Sequence, residues 1–370
     1  MSPESAMPPE SRHDKRQHGV RASSAEYAHY DQVKKPSYHM AEAADGADVF
    51  DENFRFATLD LGRFLHGDAN DRRCFAEELG AAMRDIGFAI LEGHGIPARL
   101  FDEAETWVEH FFTGTPLADK KRFRAARHGA VSEGYFPLEE TSDIHPDLVE
   151  GWVFGRRAFD LGDGDENAPF AASTLWPRPE FEPKFRRLVL AGSALFQPIM
   201  RSILMGLGLD AHLFDRRLER PDLALRLNYY PPLTAAQANS QASRLLGHED
   251  VDLFTLLPAP SIEGLQVLLR DGRWARLSPP PGTIVLNTGD YLQRLSNDIL
   301  PSTTHRVGRP RDPSLRQHSR VSFPLAAYLH PNEMLEVLPG TGPAKYEPIR
   351  VLTFHTRTTA KFYGDDYAVE

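Results

Sequence analysis

Cysteine is all but absent from this chain. Cys74 stands alone among 370 residues, which excludes an intramolecular disulfide or a thiolate zinc cluster and fits a reducing compartment. A surplus of positive charge is also missing: 42 Lys and Arg face 52 Asp and Glu, a formal net charge of -10. That balance argues against a general nucleic-acid or anionic-membrane surface. The opening MSPESAMPPESRHDKRQHG lacks the apolar core of a secretion signal, and no unbroken apolar run reaches membrane-spanning length. The expectation is a cytoplasmic protein, monomeric or weakly homo-oligomeric, that binds no nucleic acid and no membrane. No repeat period is visible. What is present is 41% hydrophobic residues, enough for one large domain or two smaller ones.

Residues 1–52 are rich in Ser, Pro, Ala and charge and read as an arm, which Tyr27, Tyr30 and Tyr38 could tie to the domain. Residues 53–220 read as mostly helical. RRCFAEELGAAMRDIG has helical spacing and a stop at Gly87, FAILEGHGIP is strand and turn, and Ala98 to about Phe112 places Leu100, Ala104, Trp107, Val108 and Phe111 on one face. EGYFPLEETSDIHPDLVEGWVFGRRAF is irregular and aromatic, the kind of segment that covers a binding site. A helical period returns over Pro179–Leu209, with a kink expected at Pro198. From 221 to 345 short strand-like pieces alternate with Gly, Pro, Asn and Asp, which argues a sandwich or jelly roll. Residues 346–370 form a closing helix or strand.

His-x-Asp pairs recur along the chain, and roughly two His-x-acid matches are expected by chance from 15 histidines and 52 acids. His66 and Asp68 lie in a polar loop, FLHGDAND. His145 and Asp147 flank Pro146, which holds His145 in extended or turn geometry. His248 and Asp250, in GHEDVDLFTLL, are followed by strand-forming residues, and on a strand they would aim at one point. Downstream, His305 in STTHRV leads into another strand, whereas His318 lies in a basic, proline-broken loop. Two imidazoles and a carboxylate on one face of an octahedral metal leave the remaining positions open, as in non-heme Fe(II) oxygenases.

Arg320 and Ser322 stand at i and i+2 and can clamp a carboxylate. On LALRLNYYPP the same alternation sets Arg226, Asn228 and Tyr230 on one face and Leu225, Leu227 and Tyr229 on the other. Tyr135, Trp152 and Phe154 are candidates for the substrate pocket, together with Arg226. His94 in GHGIP reads as a structural turn histidine, and Arg156 and Arg157 as a solvated pair or as contacts for an acidic substrate.

In order along the chain, RLNYYPP, GHEDVDLFTLL, GLQVLLRDGRWARLSPPPGTIVLNTGDYLQRLSN, STTHRV and RVSFPLAAY resemble the core of the isopenicillin N synthase-like Fe(II)/2-oxoglutarate oxygenases. GFAILEGHGIP, EGYFPL and EGW resemble the family's N-terminal region, so the likeness runs from about Phe56 to Leu329. The resemblance implies an α+β fold, a double-stranded β-helix (jelly roll) core with an N-terminal helical region and surrounding helices. It implies Fe(II) held by His248, Asp250 and His305, and 2-oxoglutarate held by Arg320 and Ser322 at its distal carboxylate, with Asn228 and Tyr230 beside it. The activity implied is O2-dependent hydroxylation, desaturation or cyclisation of a small-molecule substrate in specialised metabolism, with succinate and CO2 as co-products. Two alternatives remain: a 2-oxoglutarate-independent oxidative cyclase of the isopenicillin N synthase type, which the HEDV wording resembles, and a metal-free binding module.

Overall fold

The structure is a computed structural model that describes residues 32–33, 48–138, 147–162, 170–234, 244–363 and 367–369. Tyr27, Tyr30, Tyr38 and His145 fall outside these residues. Of the arm, Val33 is buried and the Gln32 carbonyl accepts from Arg294 Nη1 at 3.2 Å.

The chain opens with strand β1 (Thr58–Asp60), helix α1 (Gly62–His66) and helix α2 (Ala69–Asp85). Asp68 accepts from the amides of Asn70 and Asp71 while Asp71 accepts from Asp68, a reciprocal cap that explains why α2 begins here. That role also accounts for one of the rival His-x-Asp pairs. Gly87, at φ 72°, ends the helix and turns the chain into β2 (Phe88–Glu92). Helix α3 (Ala98–Gly114) buries Leu100, Ala104, Val108 and Phe111, a stripe at helical spacing. It is followed by α4 (Leu117–Arg122), β3 (Ala126–His128), β4 (Val131–Phe136) and β5 (Glu150–Gly155). The segment expected to be irregular thus holds two paired strands at its ends, residues 133–136 and 150–155, while residues 139–146 between them lie outside the described residues. Its Gly, Ser and Glu content hides the alternation, and only pairing with the next strand reveals it.

Helices α5 (Glu182–Ser193) and α6 (Phe196–Gly206) are separate, with the break at Ala194–Leu195. Pro198 sits in the first turn of α6, where a missing amide costs nothing, and so produces no kink within a longer helix. By length and composition alone Pro179–Gly206 could cross a membrane, but more than half of its most apolar window is buried in the core. Helix α6 crosses α2 where both present glycine: a Cβ on Gly206 would lie 2.6 Å from the Ala76 carbonyl oxygen.

The remaining strands are β6 (Asp222–Tyr230), β7 (Leu245–His248), β8 (Phe254–Pro258), β9 (Leu265–Leu268), β10 (Trp274–Arg276) and β11 (Ile284–Thr288). Helix α7 (Asp290–Leu295), β12 (His305–Val307), β13 (Arg320–Ser322), β14 (Leu325–Tyr328) and helix α8 (Val351–Tyr363) complete the core. The large sheet runs β1-β2-β11-β8-β14-β6-β5-β4-β3 with β13 also on β6, and a smaller sheet runs β10-β9-β12-β7. Strands from before and after residue 220 thus share one sheet. Apolar side chains of β2, β9, β10 and β11, among them Phe88, Val267, Ala275 and Val285, pack together as one core cluster. The opposite face of the large sheet carries the main core against the helices.

An aromatic stack anchors that helical layer. Trp176 lies 3.6 Å from Phe154 between ring centroids and donates its indole N–H to the Ala158 carbonyl at 2.7 Å, and Phe111, Phe159 and Phe185 surround it. Trp176→Ala is expected to lower unfolding stability by about 3–5 kcal/mol, read by equilibrium urea denaturation; a change within error of zero refutes this account of the layer.

Candidate metal centre

His248 ends β7 and His305 begins β12, directly opposite each other in the ladder. Asp250 lies past the end of β7, in the connection to β8, so the two ligands do not share one strand as expected. The turn brings them together all the same. Asp250 Oδ1 is 3.7 Å from His248 Nε2 and 3.9 Å from His305 Nε2, and one ligand atom from each of the three lies within 4.8 Å of the others.

Each imidazole is oriented from behind. His248 Nδ1 is 2.8 Å from the Leu246 carbonyl and His305 Nδ1 is 3.1 Å from the Thr303 carbonyl. A carbonyl only accepts, so each Nδ1 carries the proton and each Nε2 lone pair faces inward. Burial, and then the neighbouring His305, lowers the His248 pKa to about 4, which leaves a neutral ligand. Burial pushes the Asp250 carboxyl up, but His305, His248 and hydrogen bonds from Thr255 and Asn287 outweigh it and hold the group below the usual range.

Asp250 Oδ2 accepts from Thr255 Oγ1 and from Asn287 Nδ2, both at 2.7 Å, which turns Oδ1 toward the histidines. Thr255 and Asn287 face each other across β8 and β11. Thr255 Oγ1 is also 2.7 Å from Asp252 Oδ2. One hydroxyl has one proton, so a protonated Asp252 donates to Thr255 while Thr255 donates to Asp250. Burial, together with the nearby Asp250 charge, raises the Asp252 pKa well above the normal range, in keeping with that order. The backbone is pinned as well: the Asp290 amide donates to the Asp250 carbonyl and the Tyr291 amide to the Asp252 carbonyl. Gly289 permits this approach, since a Cβ there would lie 2.0 Å from Asp252 Oδ1. Two neutral nitrogen donors and one oriented carboxylate oxygen fit a divalent metal such as iron(II).

Beside the triad, strand pairing gathers the four residues singled out for a carboxylate. Arg320 lies opposite Tyr230 and Ser322 opposite Asn228. Asn228 Nδ2 donates to Ser322 Oγ at 3.3 Å, and the Arg320 guanidinium lies 4.8 Å over the Tyr230 ring. Arg320 Nε donates to the Ile262 carbonyl, but its buried Nη1 has no partner among the described residues. A buried cation with a free donor beside a cavity calls for an anion.

The cavity measures about 200 Å³ and lies between the two sheets, with His355, Thr359, Phe362 and Tyr363 of α8 along it. Of the expected substrate residues, Arg226 lines it; Tyr135, Trp152 and Phe154 do not. Register explains the correction. Trp152 pairs with Leu227, Phe154 with Leu225 and Tyr135 with Trp152, so all three share the greasy, helix-facing side, while Gly151 and Val153 take the cavity side. Arg157 pairs with Glu133 and Arg156 Nη1 donates to the Pro221 carbonyl, both along a separate cavity. His94 accepts from the Ile96 amide and bonds the Gly282 carbonyl, a turn clasp. Thr255, Asn287 and the α8 residues were not picked out from sequence. The one available signal was a polar side chain inside each of the buried strands FTLLP and IVLNT.

Comparison with known proteins places two family models on the chain: a non-haem dioxygenase N-terminal region described from morphine synthesis over residues 57–179, and the 2OG-Fe(II) oxygenase superfamily over residues 221–326. A 2-oxoglutarate-Fe(II) type oxidoreductase, ppzC, of Metarhizium majus is 31% identical over 82% of this chain and 87% of its own. Leucoanthocyanidin dioxygenase 1 of Oryza sativa is 27% identical over 80% and 78%. Among solved structures, a full-length Neurospora crassa protein in complex with alpha-KG and thymine superposes with a TM-score of 0.72 at 25% identity, covering 87% of this chain and all of that one.

Asn287→Ala is expected to weaken metal binding about 10- to 100-fold, measured by anaerobic Fe(II) titration; unchanged affinity removes Asn287 from the centre. Asp147, buried beside β7 and accepting from the Leu246 amide, has its pKa raised by burial to about 7. The folded protein therefore holds a proton that the unfolded chain releases, and stability falls as pH rises from about 4 to about 7, by at most about 4 kcal/mol. Asp147→Asn should flatten that decline in Tm against pH. A decline as steep as in the unmodified protein contradicts the assignment.

Proposed function

The chain belongs to the 2OG-Fe(II) oxygenase superfamily and is an Fe(II)/2-oxoglutarate-dependent oxygenase; from that premise we propose that it oxidises an unactivated C–H position of a small specialised metabolite. Hydroxylation, desaturation or cyclisation then depends on where the substrate is held. The observation that carries this reading is the cavity of about 200 Å³ joining the His248–Asp250–His305 triad to Arg320, whose buried Nη1 has no partner among the described residues.

In this reading His248, Asp250 and His305 hold iron(II). Arg320 and Ser322 receive the distal carboxylate of 2-oxoglutarate, with Tyr230 and Asn228 shaping that pocket. When bound, the metal and cosubstrate supply O2 activation with release of succinate and CO2. The protein's own contribution is positioning and exclusion of water. The Thr255–Asn287 pair keeps Asp250 aimed with one oxygen, the carbonyls of Leu246 and Thr303 keep both histidines in the ligating tautomer, and α8 closes the cavity over the reacting position. A buried contact between Glu249 and Lys361, 3.7 Å apart with both side chains 3% exposed, ties α8 to the metal-bearing loop. The names of the relatives, an oxidoreductase from a fungus and a plant leucoanthocyanidin dioxygenase, support a small-molecule substrate. The intact triad and the free Arg320 donor disfavour a metal-free binding module.

Purified protein supplied with Fe(II), 2-oxoglutarate and O2 should form succinate, and His248→Ala should abolish it. Arg320→Leu should raise the KM for 2-oxoglutarate by at least about thirtyfold, the loss of a buried charge pair, without weakening Fe(II) binding. Succinate formation that is indifferent to either substitution defeats the assignment.

A further inference from the structure

Arg226 is the second guanidinium on the cavity, four residues before Tyr230 on β6 and hence about 13 Å along the strand from the Arg320 end. Its Nε donates to Asn228 Oδ1 at 2.9 Å, and its guanidinium stands 5.7 Å over the Phe136 ring. Gly151, across β5 from Asn228, leaves room for it: a Cβ there would meet Nη2 at 3.5 Å. Arg226 Nη2 is buried and has no hydrogen-bond partner among the described residues. Leaving such a donor unmet is costly, and leaving its charge unmet costs more.

The nearby acids among the described residues are otherwise engaged. Asp250 faces the histidines, and Glu249 lies against Lys361 and accepts from Thr304. Asp147 accepts from the Leu246 amide and meets Arg226 through charge alone, with burial raising its pKa to about 7. Asp252 shares the Thr255 hydroxyl. His355 adds no charge, because Tyr291 occupies its Nδ1 and burial keeps it neutral, with a pKa of about 4. Iron(II), Asp250 and dianionic 2-oxoglutarate together carry one negative charge, which Arg320 cancels. Among the described residues that line the cavity, Arg226 is then a cation with no ion-paired acid.

We propose that the substrate carries a carboxylate that pairs with Nη2 of Arg226, placing the carbon to be oxidised between this anchor and the metal; this rests on the cosubstrate assignment above. A monoanion completes the charge balance. A phosphate dianion would overshoot it, and a neutral amide or ketone would satisfy the donor but not the charge.

The test uses the full-length protein without O2, loaded with Fe(II) and saturating 2-oxoglutarate. Phenylacetate and hexanoate are titrated in, alongside phenylacetamide and hexanamide, and binding is read from the iron–cosubstrate absorption band and from Tm. At least one acid should bind about tenfold or more tightly than its amide. Arg226→Gln should erase that preference, Arg226→Lys should keep part of it, and 2-oxoglutarate affinity should stay within about twofold in both. Amides binding as well as acids, no acid binding, or an undiminished preference in Arg226→Gln overturns the proposal. Weakened 2-oxoglutarate binding in Arg226→Gln also overturns it, by assigning Arg226 to the cosubstrate. A wild-type protein that shows no absorption band with iron and 2-oxoglutarate defeats the underlying cosubstrate assignment instead.

Discussion

The pleat of β6 is the constraint on which the rest of this structure depends. Successive side chains of a strand face opposite ways, and along Asp222–Tyr230 this sends Leu223, Leu225 and Leu227 into the main core and Arg226, Asn228 and Tyr230 into the cavity. Every strand registered against β6 inherits the division. β5 presents Trp152 and Phe154 to the helices and Gly151 and Val153 to the cavity, and β13 brings Arg320 and Ser322 alongside Tyr230 and Asn228. A shift of one residue would exchange the greasy and polar faces throughout, and the aromatic stack around Trp176 holds against such a slip.

The cavity that results carries several charged groups inside an apolar sandwich, which is stable only if those charges are compensated. At the triad the protein supplies compensation itself, by carbonyls behind the imidazoles and by Thr255 and Asn287 on the far oxygen of Asp250. At the two cavity arginines it does not: Arg320 Nη1 and Arg226 Nη2 are buried without partners among the described residues. Donors left open next to donors carefully closed mark where ligands complete the structure, and they separate the residues that organise the site from those that bind.

Much of this was legible in the sequence, for reasons that can be named. The stripe on α3 and the alternation on β6 are local patterns that hydrophobic burial enforces, and each appears at its expected position. The β4–β5 segment was not legible, because its strands are recognisable only by their partners. Nor were the orientations of Tyr135, Trp152 and Phe154, because parity along a strand is relative until a register sets it. The His248–Asp250 geometry was misjudged for a similar reason: adjacent ligands suggested one strand, whereas the chain leaves β7 between them and relies on Asp290 and Gly289 to shape the turn.

By itself the sequence determined the chemistry available: two histidines and an aspartate in order, an Arg-x-Ser pair, and a strand with one polar face, set within a family pattern long enough to exclude coincidence. Only the tertiary structure decided which atoms converge, because convergence depends on contacts between residues far apart in the chain. His305 meets His248 across a ladder, Asn287 reaches Asp250 from a neighbouring strand, and α8 comes from the far end to close the cavity. It also decided that Arg226 Nη2 has no partner among the described residues, since no local pattern reveals which buried donor the fold leaves open.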